Sequence, residues 1–259
     1  MSHPHGRFVW YDLATIDTNA AVDFYTQVVG WTTTDWKSGD FTYHMWTPPD
    51  ASPIGGVGKL PQAAIDMGAP PNWSGHISVP DINAALTKLE SLGGKRVMPE
   101  IMDMPTIGKM ILVADPYGAA FWLFQPVTPM EQPEGGSTVG HVTWHELTTD
   151  DVEGAMAFYT DMFGFHKTES MDMGPMGTYQ MFGPEGKGTF GGMMKRAPGM
   201  PPNAWLYYFS VPDLTVSIAK ATELGGKLIM GPQEVPGGDH IAVLMDPQGA
   251  AFALHSRKV

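Results

Sequence analysis

The chain carries its landmarks twice, in the same order. Trp10-x-Asp12-Leu13, followed by Phe24-Tyr25 and Gly30, returns as Trp144-x-Glu146-Leu147, Phe158-Tyr159 and Gly164, each 134 residues later. Tyr43 answers Tyr179, Gly55-Gly56 answers Gly191-Gly192, and Trp73 answers Trp205. Val79-Pro80-Asp81, Gly93-Gly94-Lys95 and Asp115-Pro116-x-Gly118 answer Val211-Pro212-Asp213, Gly225-Gly226-Lys227 and Asp246-Pro247-x-Gly249. Solenoid repeats run about 20–50 residues, so a period this long marks a duplicated domain. The 259 residues then divide into two halves of about 125, each able to bury a core without covalent staples.

Each half reads as two strand–helix–strands units. Phe8 to Leu13 alternates apolar with polar side chains, as a strand does, and Asp17 or Thr18 offers an N-cap to the apolar positions ending at Val28. Gly30 ends that helix, and Trp31–Thr34, Phe41–Thr47 and Ile54–Lys59 are expected as three strands. The pattern restarts with a strand over Trp73–Val79, a helix capped by Asp81 and closed by Gly93-Gly94, and strands near Arg96, over Lys109–Ala114 and over Ala119–Gln125. The second half repeats this, with helices near 151–163 and 213–224. Pro126 to Ser137, rich in Pro, Gly and Glu, reads as a linker. The domains are therefore placed at 1–127 and 138–259, with 128–137 between them. Residues 1–127 are expected to fold alone, provided the halves share no large core.

Composition narrows the function classes. Fifteen basic against 27 acidic residues give a formal −12 with no basic run, which disfavours nucleic acid and anionic membranes as partners. Without cysteine there is no disulfide, no thiolate nucleophile and no Cys-based metal site. No stretch approaches membrane-spanning length, so a soluble cytoplasmic protein is expected. Nineteen Met and eight Trp suit either an adaptable apolar cavity or a well-filled core.

The βαβββ-βαβββ order, with D-x-x-x-A-x-x-F-Y in the first helix and D-P-x-G before the last strand, resembles the vicinal oxygen chelate superfamily. That superfamily includes glyoxalase I, bleomycin-resistance proteins and extradiol dioxygenases. The resemblance covers nearly the whole chain outside the termini and linker. It implies an α+β fold of tandem glyoxalase-like domains, each with two paired βαβββ units forming a cup-shaped mixed sheet. In the superfamily's enzymes His, Gln or Glu side chains from strands of the cup hold a divalent ion. The matching positions here are Trp10, the Ile54–Gly58 stretch, Ser74 or its neighbour, and Trp122. In the second half they are Trp144, the Phe190–Met194 stretch, Leu206 or its neighbour, and Ala253. Trp and Ala offer no lone pair to a cation, so no metal and no cofactor are expected.

Other polar groups remain. Asp12 and Glu146 lie two residues beyond Trp10 and Trp144, so on a strand they share a face with them. In an apolar cup, desolvation disfavours a charged carboxylate and suits it to acid–base work; a structural carboxylate accepting buried N–H bonds is the competing account. His76 faces the cup if Ser74 does, and His255 lies two beyond Ala253, so Asp12 with His76 and Glu146 with His255 are candidate catalytic pairs. Tyr43 and Tyr179 could donate to a ligand, and Trp10, Trp73, Trp122, Trp144, Trp205 and Tyr208 are candidate lining residues. The glycine pairs at 55–56 and 191–192 lack any phosphate-loop pattern and read as places where a strand bends or a ligand approaches. The second cup is expected to be the more reactive: Glu146 is longer than Asp12, Ala253 replaces Trp122, and His255 replaces Phe124. Two functions follow: a binding protein for a small apolar or aromatic molecule, or a glyoxalase-type lyase/isomerase or dioxygenase-related enzyme.

Overall fold

The computed structural model describes residues 5–38, 41–49, 52–128, 130, 138–186 and 188–258. Most of the expected linker therefore lies outside the described residues. The first repeat runs β1 (Phe8–Thr15), α1 (Thr18–Val28), β2 (Thr32–Ser38), β3 (Phe41–Thr47), β4 (Gly55–Lys59), α2 (Gln62–Asp66) and β5 (Asn72–Ser78). It continues through α3 (Ile82–Ser91), β6 (Lys95–Arg96), β7 (Met102–Met104), β8 (Gly108–Ala114) and β9 (Ala120–Pro126). The second runs β10 (Val142–Thr149), α4 (Val152–Phe163), β11 (Phe165–Asp172), β12 (Thr178–Pro184) and β13 (Gly191–Lys195). Then come β14 (Ala204–Ser210), α5 (Leu214–Glu223), β15 (Lys227–Glu234), β16 (His240–Met245) and β17 (Ala251–Ser256).

Each repeat builds one sheet. The orders are β2-β3-β4-β1-β5-β9-β8-β6, with β7 on β8, and β11-β12-β13-β10-β14-β17-β16-β15. In every βαβββ unit the first strand pairs parallel with the last: β1 with β4, β5 with β9, β10 with β13 and β14 with β17. The four long helices start where their sequence signals place them. Asp17, Asp81, Asp151 and Asp213 each accept a hydrogen bond from an N–H of the first turn. Three elements carry no clear sequence signal: α2, β7 and a 3₁₀ turn over Gly174–Met176. All are one turn or three residues long, too short for periodicity to register.

Alternation on β1 and β10 separates two faces. Tyr11, Leu13 and Thr15 are buried while Trp10, Asp12 and Ala14 are half-buried; on β10, His145, Leu147 and Thr149 are buried and Trp144, Glu146 and Thr148 half-buried. The buried face is the core, and the other is the face expected for a cup.

Packing does not follow the repeat order. One compact unit comprises residues 1–10, 74–135 and 144–205; the other comprises 11–73, 136–143 and 206–259. Each therefore draws on both repeats. Within the first, Phe121 of β9 lies 5.8 Å from Tyr159 and 5.7 Å from Phe163 of α4, and Phe8 stacks on His145 at 4.2 Å. Within the second, Phe24 and Tyr25 of α1 meet Phe252 of β17, and Trp31 and Trp73 meet Phe209 of β14. The proviso attached to residues 1–127 folding alone thus fails, because the apolar groups of one repeat are buried by those of the other.

One polar cluster recurs in both units and joins three of the repeated motifs. The Tyr159 hydroxyl donates to Asp115 at 3.2 Å and accepts from Trp205 Nε1 at 3.0 Å. The Tyr25 hydroxyl donates to Asp246 at 3.1 Å and accepts from Trp73 Nε1 at 2.9 Å. Each aspartate also accepts two N–H groups at 2.9 Å, one from the third residue of its own D-P-x-G segment and one from the alanine just after it. Burial raises both carboxyls above the ordinary range, and these hydrogen bonds hold them partly down. Trp73 and Trp205, expected to line a ligand site, are instead buried core residues, 6% and 7% exposed. Their N–H groups serve the cluster.

Candidate functional site

The half-buried face of β10 presents Trp144 and Glu146. Glu146 pairs in register with Gly192 on β13, and β13 is bordered on its far side by β12, which carries Tyr179. Tyr179 leans across the intervening strand. A Cβ on Gly192 would clash with the hydroxyl edge of the Tyr179 ring, so only glycine leaves the path open. The phenol then donates to Glu146 Oε2 at 2.9 Å and accepts from Trp144 Nε1 at 2.7 Å, giving an indole–phenol–carboxylate chain. Burial first, and the Glu146 charge second, push the Tyr179 hydroxyl well above its usual value, so it remains a donor throughout the working pH range.

The first repeat carries the same carboxylate–phenol pair. Asp12 pairs in register with Gly56, whose missing side chain admits the Tyr43 ring, and the Tyr43 hydroxyl donates to Asp12. The glycine pairs therefore have a reason that sequence reasoning did not reach. Gly56 and Gly192 give passage to tyrosine, while Gly55 and Gly191 lie against the Tyr11 and His145 carbonyls too closely for a Cβ. Tyr43 and Tyr179 donate their hydroxyl protons to the carboxylates.

The remaining candidates lie elsewhere. His76 is 2% exposed and stacks on Trp122 with ring centroids 5.2 Å apart; Trp122 Nε1 donates to Ser74 Oγ at 3.0 Å. His255 donates through Nε2 to Asp239 at 3.0 Å, so its imidazole has a carboxylate close at hand from the same unit. The members of each expected acid–imidazole pair belong to different compact units: Glu146 and His76 to the first, Asp12 and His255 to the second. Tyr208 pairs in register with Ala253, as His76 does with Trp122, and both are buried. Ala253 is fully buried, 0% exposed, and its register partner on β14 is Tyr208, where the partner of Trp122 on β5 is His76. Trp10, like Trp144, is half-buried.

The superfamily's divalent ion does not fit this donor set. On β1 and β10 its positions hold indoles, and the Trp144 indole nitrogen carries a proton that it donates to Tyr179. On β9 and β17 they hold Trp122, whose N–H is likewise committed, and a buried alanine. Neither indole N–H nor methyl coordinates a metal. Among the described residues no group of three His, Asp or Glu side chains converges elsewhere in a way that would hold one.

Comparison with known proteins agrees with the architecture. The family model for the Glyoxalase/Bleomycin resistance protein/Dioxygenase superfamily matches residues 7–123 and again 138–254. A Mycobacterium bovis protein named "Putative glyoxylase CFP32" is 35% identical, over 95% of this chain and 92% of its own length. The "Anthracycline biosynthesis protein DauV" of a Streptomyces species is 30% identical over 96% and 92%. Among solved structures, a homoprotocatechuate 2,3-dioxygenase variant from B. fuscum superposes with a TM-score of 0.67 at 16% identity, covering 100% of this chain and 73% of the other. The 2,3-dioxygenase LapB from Pseudomonas sp. KL28 gives 0.65 at 13% identity, covering 100% and 94%. At such identities the structures speak for the fold alone. Two family-model matches that follow the internal repeat, with relatives aligned end to end, place this chain in the glyoxalase/bleomycin resistance/dioxygenase superfamily.

Proposed function

We propose that this chain is a small-molecule binding protein that recognises planar, partly aromatic ligands without a metal at the superfamily's usual positions. The observation that carries the reading is the carboxylate–phenol pair, built twice on matching strand positions with a glycine that exists to admit it. Glu146 and Tyr179, beside the Trp144 indole, combine an apolar surface with an oriented hydrogen-bonding group, the combination that small-molecule sites use. The anthracycline relative supports an aromatic ligand class, and the indoles and alanine that stand at the superfamily's ligand positions on β1, β9, β10 and β17 favour binding over Lewis-acid chemistry. The default location for such a protein is the cytoplasm.

Titrating an anthracycline against tryptophan fluorescence tests the reading. Glu146→Gln keeps the shape but removes the charge, and is expected to weaken binding about tenfold, the scale of one charge-assisted hydrogen bond. Asp12→Asn is expected to lose less, because its shorter side chain reaches less far. Equal losses, or a larger loss for Asp12→Asn, overturn the ranking; unaltered affinity in both overturns the site. The enzyme reading draws on the indole–phenol–carboxylate chain, which could pass a proton to a bound carbonyl, and on the glyoxylase-named relative. Turnover of a 2-oxoaldehyde–thiol adduct that Glu146→Gln abolishes would favour it.

A further inference from the structure

A cleft of about 460 Å³ opens between the 3₁₀ turn at Gly174–Met176 and the loop that follows β13. It is lined by Pro175 and Met176 from the turn and by Lys195, Arg196, Ala197 and Pro198 from the end of β13 and the loop. The volume falls in the range of small-molecule sites, about 300–1,000 Å³.

Both walls are held by their own hydrogen bonds, so the cleft is formed before any ligand arrives. On the loop side, Arg196 N–H donates to the Thr149 carbonyl at 2.8 Å and Met200 N–H to the Ala197 carbonyl at 3.1 Å; Ala197 N–H points back at the Met200 sulfur, 3.4 Å away. On the turn side, Gly174 N–H donates to Asp172 at 2.9 Å and Met173 N–H to the Gly177 carbonyl at 2.8 Å. Met176 stands 48% exposed on this pinned turn, an adaptable apolar wall with no evident packing role.

The two cations differ. The Arg196 guanidinium is bound to Asp150 at 2.8 Å, and Asp150 is held in turn by Asn203 at 3.0 Å. Lys195 acts on Asp150 only through space, and among the described residues its ammonium has no ion-pair partner. The corresponding segment of the first repeat differs: after Lys59 the chain enters α2, whereas after Lys195 it makes the Pro- and Gly-containing loop. On a chain of formal charge −12, a cleft lined by Pro175, Met176, Ala197 and Pro198 together with the Lys195 cation is matched to a ligand that joins an apolar body to negative charge.

We infer that this cleft binds small amphipathic anions, the acidic group on Lys195 and a flat apolar body between Met176 and Pro198. Neither Glu146 nor Tyr179 is among the residues that line this cleft, and the inference does not depend on the function proposed for them.

The probe is 8-anilinonaphthalene-1-sulfonate, with uncharged N-phenyl-1-naphthylamine as control, on the full chain. Wild type should bind the sulfonate saturably and shift the Met176 methyl resonance. Lys195→Glu should weaken the sulfonate at least about tenfold while leaving the uncharged dye within about twofold, because only the charge pair is lost. Met176→Asp should weaken both dyes. Failure of wild type to bind, unchanged sulfonate affinity in Lys195→Glu, equal loss of both dyes in that variant, or an unmoved Met176 methyl would each overturn the inference.

Discussion

His145 shows how one residue's setting makes a measurable property. It occupies the buried face of β10 beside Glu146, donates from Nδ1 to the Phe190 carbonyl at 3.0 Å and stacks on Phe8. Burial drives its pKa from 6.5 down to about 4, the hydrogen bond opposing only in part. Between those values the unfolded chain binds a proton that the folded chain refuses, so stability falls as pH drops from about 6.5 to about 4 and the loss then levels off. The full swing is about 3 kcal/mol. Asp115 and Asp246 work the other way: raised by burial, they stabilise when protonated and lose that contribution as pH rises through their folded values, which offsets the histidine at the acid end. Urea midpoints measured from pH 4 to 7 should rise with pH in wild type and rise less in His145→Phe. Parallel curves would show that His145 is not the group responsible.

At the level of elements, the site depends on a strand pair that lets a side chain pass over it. Gly192→Ala places a methyl in clash with the hydroxyl edge of the Tyr179 ring, so the ring must leave Glu146 or the strands must part. The expected cost is about 1–3 kcal/mol, the usual range for overpacking. In a Tyr179→Ala background the same substitution should cost little, since the clash has gone. An equal cost in both backgrounds would mean that Gly192 serves the backbone and not the tyrosine. This arrangement also marks how far the sequence could be read. The order of elements, the helix caps and the facing of Asp12 and Glu146 followed from local spacing. The tyrosine reach did not, because it joins β12 to β10 across β13, and a one-chain pattern of glycines has no direction in it. The glycine pairs themselves were the available signal: a repeated Gly on a central strand, opposite a carboxylate and near a repeated Tyr.

For the whole molecule, the sheet and the core obey different partitions, and only the first was legible. Repeats reveal strand order, because each sheet is made from contiguous chain. They conceal which aromatic meets which, since Tyr25 and its partner Asp246 lie 221 residues apart and Tyr159 and Asp115 lie 44 apart. The duplicated Phe-Tyr and D-P-x-G motifs are the two halves of one contact, each repeat supplying the tyrosine for the other's aspartate. Residues 1–127 alone would keep Phe121, Asp115 and Phe8 without Tyr159, Phe163 and Trp205, and would keep Trp31, Tyr25 and Trp73 without Phe209, Phe252 and Asp246. Burying one large apolar side chain contributes about 1.5–3 kcal/mol, and a domain's net stability is only about 5–15 kcal/mol. Losing several such partners at once exceeds that margin. The isolated segment 1–127 is therefore expected to show no cooperative thermal transition and little near-ultraviolet dichroism, and mixing it with 138–259 should restore both. A cooperative transition from 1–127 by itself would mean that each sheet with its own helices is sufficient, and that the aromatic contacts between repeats only add to a core already closed.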